Sequence, residues 1–356
     1  MSAAPVTLDQ DPADEAGGGV PNTRLNTLKP GWQSWGGFAL GMAALAVITL
    51  LVAQDPYYRT LATTALLFAG LAVAWNILGG YAGQFSLGHA VFFAIGGYSV
   101  SLMLVKHGWA WYFGLVIGVV LCAVLAALVS WPLFRLRGPF FSIGTLALSA
   151  VALALANYFH WTGGTQGVQI PFNQVPISDP DVWVAIFFAF LAVCLAVSLG
   201  VIRSRLGYYL VAARDDEGAA SASGANPLFV KTAAFMISAA LTGLGGGLYV
   251  LYVGFLDPPS FLSTLEVGAY IPLLALIGGI GTVVGPMIGG FLLQPGEAYL
   301  QGKLAGGSPG VSQLIVGVIL VLFALYFRDG IWGKVSHLFR RLNLNSMIPK
   351  RGRTHD

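Results

Sequence analysis

The sequence predicts an all-α polytopic membrane protein of about ten transmembrane helices, some broken by glycine, with both termini cytoplasmic. Three observations predict it. Of 356 residues, 56% are hydrophobic and only 9% are charged, where a soluble domain carries roughly 25% charged residues. Long apolar runs recur at 38–53, 61–78, 114–130, 184–202 and 311–327. Each approaches the ~20 residues that carry a helix across ~30 Å of hydrocarbon, and none shows the ~10-residue alternation of a membrane strand. The basic residues, finally, sort to one side.

In chain order the spans fall at about 38–54, 60–79, 85–105, 110–131, 140–157, 182–202, 230–253, 266–280, 284–300 and 310–327. The third, eighth and ninth are glycine-rich or short. Placing both termini inside puts fifteen of the eighteen Lys and Arg in inward segments, leaving only Arg59, Lys106 and Lys303 outside. Basic residues near span ends favour the cytoplasm, which supports the orientation and the even count. Residues 1–37 read as a flexible cytoplasmic tail rather than a secretory signal. Residues 38–330 form the transmembrane domain, and 331–356 a basic cytoplasmic tail that either lies on anionic lipid or only marks topology. Cys122 and Cys194 fall mid-span and read as small packing residues.

The longest inward loop, Arg203 to Phe229, contains RDDEGAASASG (214–224), three consecutive acids and an arginine. Proline is absent between Leu206 and Ala222, so one short helix is predicted there. Gly224, Asn226 and Pro227 end it, as Gly followed by Pro commonly does. Leu206, Leu210 and Ala213 form its apolar edge, and Arg214 pairs with Glu217 at i,i+3. Ala219, Ala220 and Ala222 leave a surface of small residues. Two readings stand on physics alone: a solvated connector, or a segment shaped for a partner's groove. The long outward loop, Tyr158 to Asp181, carries no Lys or Arg.

Ion-coupled carriers keep ionisable groups within the bilayer, whereas every Asp, Glu, Lys and Arg here is assigned to a loop, tail or span end. His89 is the one ionisable candidate inside a span. No GxxxxGK[ST] phosphate loop occurs, nor any catalytic constellation, so no enzyme is predicted, no metal site, and no cofactor bound by this chain. LGGYAGQFSLGHA (78–90) places Gln84, Ser86 and His89 at membrane depth among glycines. Either they line a polar path or they hydrogen-bond neighbouring helices. In LIGGIGTVVGPMIGG (276–290), Gly278, Gly279, Gly281, Gly285 and Pro286 predict a short break between the eighth and ninth spans. That segment serves tight packing, a helix–turn–helix or contact with cargo. Its faint echo of the first glycine stretch suggests a pseudo-repeat about an axis along the membrane normal.

Glu217, Ala219, Ala220 and Gly224 also resemble the coupling loop of ABC importer permeases. With NILGGYAGQFSLGHAVFFAIGGY (76–98), RLRGPFFSIGTLAL (135–148), WTGGTQGV (161–168) and ALIGGIGTVVGPMIGG (275–290), the chain resembles the branched-chain amino acid ABC permeases, on the LivM-like rather than the LivH-like side. The resemblance covers roughly 60–325. It implies that Arg214, Asp215, Asp216, Glu217, Ala219, Ala220 and Gly224 seat in a cleft of a cytoplasmic ATPase. It further implies a second, LivH-like permease, two ABC ATPases that use ATP and Mg, an extracytoplasmic substrate-binding protein, and the bacterial inner membrane. Gly218, Ser221 and the long acidic N-terminal tail depart from the family pattern. Branched-chain amino acids are the implied cargo; close relatives carry urea, short amides, other amino acids and small acids. The rivals from other classes are a passive channel for small neutral solutes, which has no need of a helix shaped for an ATPase, and a non-transporting scaffold.

Overall fold

The computed structural model describes residues 54–304 apart from 137, 176, 178 and 223, together with 45, 317, 318 and 330–332. The spans expected at 38–54 and 310–327 and both tails lie outside the described residues, save those few positions. Seven described segments are long and apolar enough to cross a membrane, and the chain is an all-α polytopic membrane protein.

Helix α1 (Pro56–Asn76) starts where Asp55 accepts the Tyr57 amide, with proline at its first position. It ends in a π-helical turn, Ile77–Tyr81. Nearly everything from Ala65 to Ala82 is buried, so α1 is the central post of the bundle. The third span was expected from residue 85, but helix α2 begins only at His89 and runs to His107. Residues 82–88 are irregular, and Gly83 takes φ +68°, a conformation that side chains with a Cβ rarely adopt.

Helix α3 (Trp111–Leu133) carries two stripes at a four-residue spacing. Gly114, Gly118, Cys122, Ala126 and Ser130 are buried, while Val116, Val120, Val124 and Leu128 are exposed. The small stripe lets backbones approach, as membrane interfaces require; the aliphatic one meets lipid. Helix α4 (Pro139–Tyr158) and helix α5 (Pro180–Arg203) likewise expose Ile143, Val151, Leu155 and Val193.

The 203–229 loop differs from its expectation. Two helices, α6 (Arg205–Asp215) and α7 (Glu217–Ala222), stand where one was predicted. The break is at Asp216, which is extended (φ −155°, ψ 114°). Its carboxylate accepts the Gly218 amide at 2.7 Å and the Ala219 amide at 3.1 Å. An acid competing for backbone donors favours a cap over a helix interior, so the triple-acid run divides the segment.

Helix α8 (Pro227–Val253) is capped by Asn226 and packs along α2 and α3. A Cβ on Gly96 of α2 would collide with the Gly243 carbonyl, and one on Gly246 with that of Phe93. Past α8, β2 (Phe255–Leu256) pairs antiparallel with β1 (Val168–Gln169) in the 158–181 loop. A short α9 (Pro258–Phe261) and a π-helical turn (Thr264–Ala269) lead into α10 (Tyr270–Gly279). The expected break follows, and α11 (Gly285–Leu304) returns beside α10 and α1. Pro286 sits in the first turn of α11, where its missing N–H costs nothing; it starts that helix rather than kinking one.

Gly96→Val is expected to cost about 1–3 kcal/mol through overpacking, lowering the thermal midpoint of the detergent-solubilised protein. Val116→Ala on the exposed stripe should stay within about 0.5 kcal/mol. Fluorescence-detected gel filtration after heating separates the two.

Candidate functional site

Around the 203–229 loop the structure brings together three segments that lie far apart in sequence. Leu210, Ala213 and Ala220 are buried, so α6 and α7 seat against the bundle end formed by α8 and the π turn of 77–81. Arg214 reaches inward and its Nη1 donates to the Gly80 carbonyl at 3.0 Å. A Cβ on Gly83 would strike the Arg214 chain, and one on Gly281 would come 3.3 Å from Nη1. Both glycine stretches therefore leave room for one guanidinium.

The pairing expected for Arg214 is replaced. Its Nε binds Asp215 Oδ1 at 3.3 Å, and Glu217 instead pairs with Lys231, 5% exposed near the start of α8. The helix break at Asp216 turns Glu217 away from Arg214 and toward α8. The exposed surface of the loop is then Asp215, Asp216, Gly218, Ala219, Ser221, Ala222 and Gly224, together with the outer parts of Arg214 and Glu217. Gly224 adopts φ +86° and ends α7. Tyr208 (68% exposed) and Phe229 (70%) flank this surface. Sequence reasoning passed over them, because Tyr208 and Phe229 stand beside Tyr209, Leu210, Val211 and Leu228 and only the fold shows which of these remain exposed.

Asn76, at the last turn of α1, is fully buried and was also overlooked. Its Oδ1 accepts the Gly281 amide and its Nδ2 donates to the Thr282 carbonyl, both at 2.8 Å. Thr282 Oγ1 donates to Gly279 O at 2.7 Å and accepts the Gly285 amide at 3.0 Å. The α10–α11 turn thus has its backbone groups met by one asparagine and one threonine. Gly278, Gly285 and Gly289 bring the two helices together, since a Cβ on Gly278 would meet the Gly285 carbonyl and one on Gly289 that of Leu274. Gly279 (φ +130°) and Gly281 (φ +77°) form the turn.

His89 is fully buried. Its Nδ1 lies 3.1 Å from Ser86 Oγ and its Nε2 2.8 Å from Ser238 Oγ, while Ser238 Oγ donates to Ala74 O at 2.8 Å. Ser238 therefore accepts from Nε2–H and Ser86 donates to Nδ1, an arrangement that the neutral ring satisfies. Ser86 is buried with it and Gln84 is half-buried. His89 thereby ties α1, α2 and α8 together.

The sequence that forms these spans, turns and loop is matched by known proteins. The family described as "Branched-chain amino acid transport system / permease component" matches residues 57–324. The chain belongs to that family. It is 28% identical over 299 residues to "High-affinity branched-chain amino acid transport system permease protein LivM" of Escherichia coli (strain K12), covering 76% of this chain and 69% of that one. To LivH of the same organism it is 25% identical over 295 residues, covering 75% and 91%. To "Autoinducer 2 import system permease protein LsrC" of Enterobacter sp. (strain 638) it is 27% identical over 274 residues, covering 71% and 75%. No solved structure matches. Membership makes this chain a membrane permease component rather than an enzyme.

Ser238→Ala leaves the His89 Nε2–H without its partner, at a cost of about 1–3 kcal/mol for an unsatisfied buried donor. Thermal unfolding in detergent should show that loss. The double variant His89→Phe with Ser238→Ala should recover part of it.

Proposed function

We propose that the chain is one of two different permease subunits of an ATP-driven importer for branched-chain amino acids. It forms half of the translocation pathway in the bacterial inner membrane. On this reading the chain crosses ten times with both termini cytoplasmic. The α6–α7 loop then faces the cytoplasm, where two separate ATPase subunits use ATP and Mg, and an extracytoplasmic binding protein delivers cargo to the opposite face. The relatives named for branched-chain amino acid transport support the cargo; the relative named for autoinducer 2 import keeps a wider cargo range in the family.

One observation carries the coupling role. The loop offers small and acidic residues outward, while its arginine is seated inward on both glycine turns. A segment that only joined two spans would need neither. Closure of an ATPase cleft on Asp215, Asp216, Ala219 and Ala222 would shift α6. Arg214 would pass that shift to Gly80, and Asn76 would pass it on to the α10–α11 turn.

An absence of charge at membrane depth suits a passive channel as well as an importer, so it does not discriminate between them. Family membership carries the conclusion instead.

Charge reversal at the exposed surface (Asp215→Arg with Ala219→Trp) is expected to release the co-expressed ATPases on purification. Arg214→Ala should retain them yet lower uptake into proteoliposomes about tenfold or more. If Arg214→Ala transports at the wild-type rate, the linkage through Gly80 is wrong; if no ATPase co-purifies with the unaltered chain, the importer reading is wrong.

A further inference from the structure

Helices α3 and α4 are the least buried of the described spans. They meet where Phe134 stacks on Phe141, with ring centroids 5.4 Å apart. Beyond that stack, α4 packs against α2 and α3 much less closely than α3 packs against α2. A cavity of about 580 Å³ occupies the space between the three helices, lined by Leu102, Ile117, Leu125, Leu148 and similar side chains. Its hydroxyl-bearing lining residues are satisfied or turned away. Ser99 Oγ donates to Ile95 O at 2.7 Å, Thr162 Oγ1 donates to Ala156 O at 2.8 Å, and the Tyr98 hydroxyl is buried. The cavity is open on one side. Leu121 of α3 with Val151 and Leu155 of α4 line it and are also 48%, 55% and 49% exposed, so among the described residues its mouth lies between those two helices. Leu121 shares a face of α3 with the exposed Val124 and Leu128, three and seven residues on, so the mouth opens on an aliphatic surface. Val91 and Met103 line its two ends and stand roughly 18 Å apart along α2, against about 15 Å for half of a ~30 Å hydrocarbon core. The Met103 end is ringed by Trp109, Tyr112, Tyr158 and Trp161, all exposed, and Trp and Tyr gather at membrane–water boundaries. Lys106 stands there too, its ammonium donating to the Trp161 carbonyl.

We infer that this cavity binds one acyl chain of a membrane phospholipid, which enters between α3 and α4 with its head group level with Lys106 and Trp161. The volume falls in the ~300–1,000 Å³ range of pockets that take a small ligand. Water finds no partner in an apolar cavity, and such cavities stay dry. Left empty, the lining forfeits its dispersion contacts on one side. Hydrocarbon arriving at the mouth meets neither objection. An amino acid fits poorly, because it would bring two charges to a lining that offers them no hydrogen bonds. The site is therefore one for lipid and not for cargo. Ala156, Phe159 and Thr162 line the same cavity, so a chain held there braces the end of α4 and the start of the 158–181 loop against α2.

The test uses the full-length chain in its co-purified complex, reconstituted in phosphatidylcholine vesicles. Part of the lipid carries a diazirine at the end of one acyl chain, and adducts are mapped by peptide mass spectrometry after illumination. Val91 and Ala94 line the cavity yet are only 3% and 2% exposed, so lipid reaches them from within it. Adducts are expected on the peptide that holds these two residues. Ala152→Trp places an indole in the cavity and should lower that yield about tenfold, while adducts on Val120 and Val124 of α3 stay within about twofold of wild type. Leu121→Trp, at the half-exposed mouth, should lower it in the same way without adding bulk to the interior. Absence of the α2 adduct in the unaltered protein, whether or not the α3 stripe is labelled, overturns the inference, because protein then fills or covers the mouth. An α2 adduct of wild-type yield in both tryptophan variants overturns it as well.

Discussion

A break in a helix that lies in hydrocarbon exposes backbone donors and acceptors that no water will meet, and the rest of this structure is arranged around that constraint. Asn76 answers it. One buried amide holds the Gly281 N–H and the Thr282 carbonyl at 2.8 Å each, which allows α10 and α11 to form a hairpin. The π turn that follows Asn76 exposes the Gly80 carbonyl, and Arg214 occupies it. Remove the asparagine, and both the hairpin and the seat of the α6–α7 loop lose their fixed point.

The same economy explains the glycines. Where Gly96 faces Gly243 and Gly278 faces Gly285, the helices meet backbone to backbone. Dispersion contacts and close approach then replace the hydrophobic effect, which does nothing between helices already in lipid. His89 and Ser238 supply the directional bonds that packing alone does not.

Much of this was legible in the sequence, because a membrane span is announced by length and hydropathy alone. Seven of the ten expected spans correspond to described segments long and apolar enough to cross. The ninth corresponds to α11, and the hairpin break fell where its glycines placed it. Pairing was not legible. That Glu217 would choose Lys231 over Arg214 depends on a turn at Asp216, which follows from a side chain competing for amides rather than from any period. Asn76 was hidden because a lone asparagine at a span end looks like an interfacial residue until the turn it satisfies, two hundred residues later, is brought beside it. Glu297 was assigned to a span end because the ninth span was drawn short; α11 runs on to Leu304. The four-residue small stripe of α3 was readable and names its buried face.

Helix α8 has a further property. Its 27 residues make a rod about 40 Å long. Near one end Lys231 holds α7; just past the other, the two-residue ribbon of Leu256 and Val168 holds the 158–181 loop. A rod pinned at both ends transmits in either direction. A displacement of the 158–181 loop would then reach α7 as a shift of this one helix.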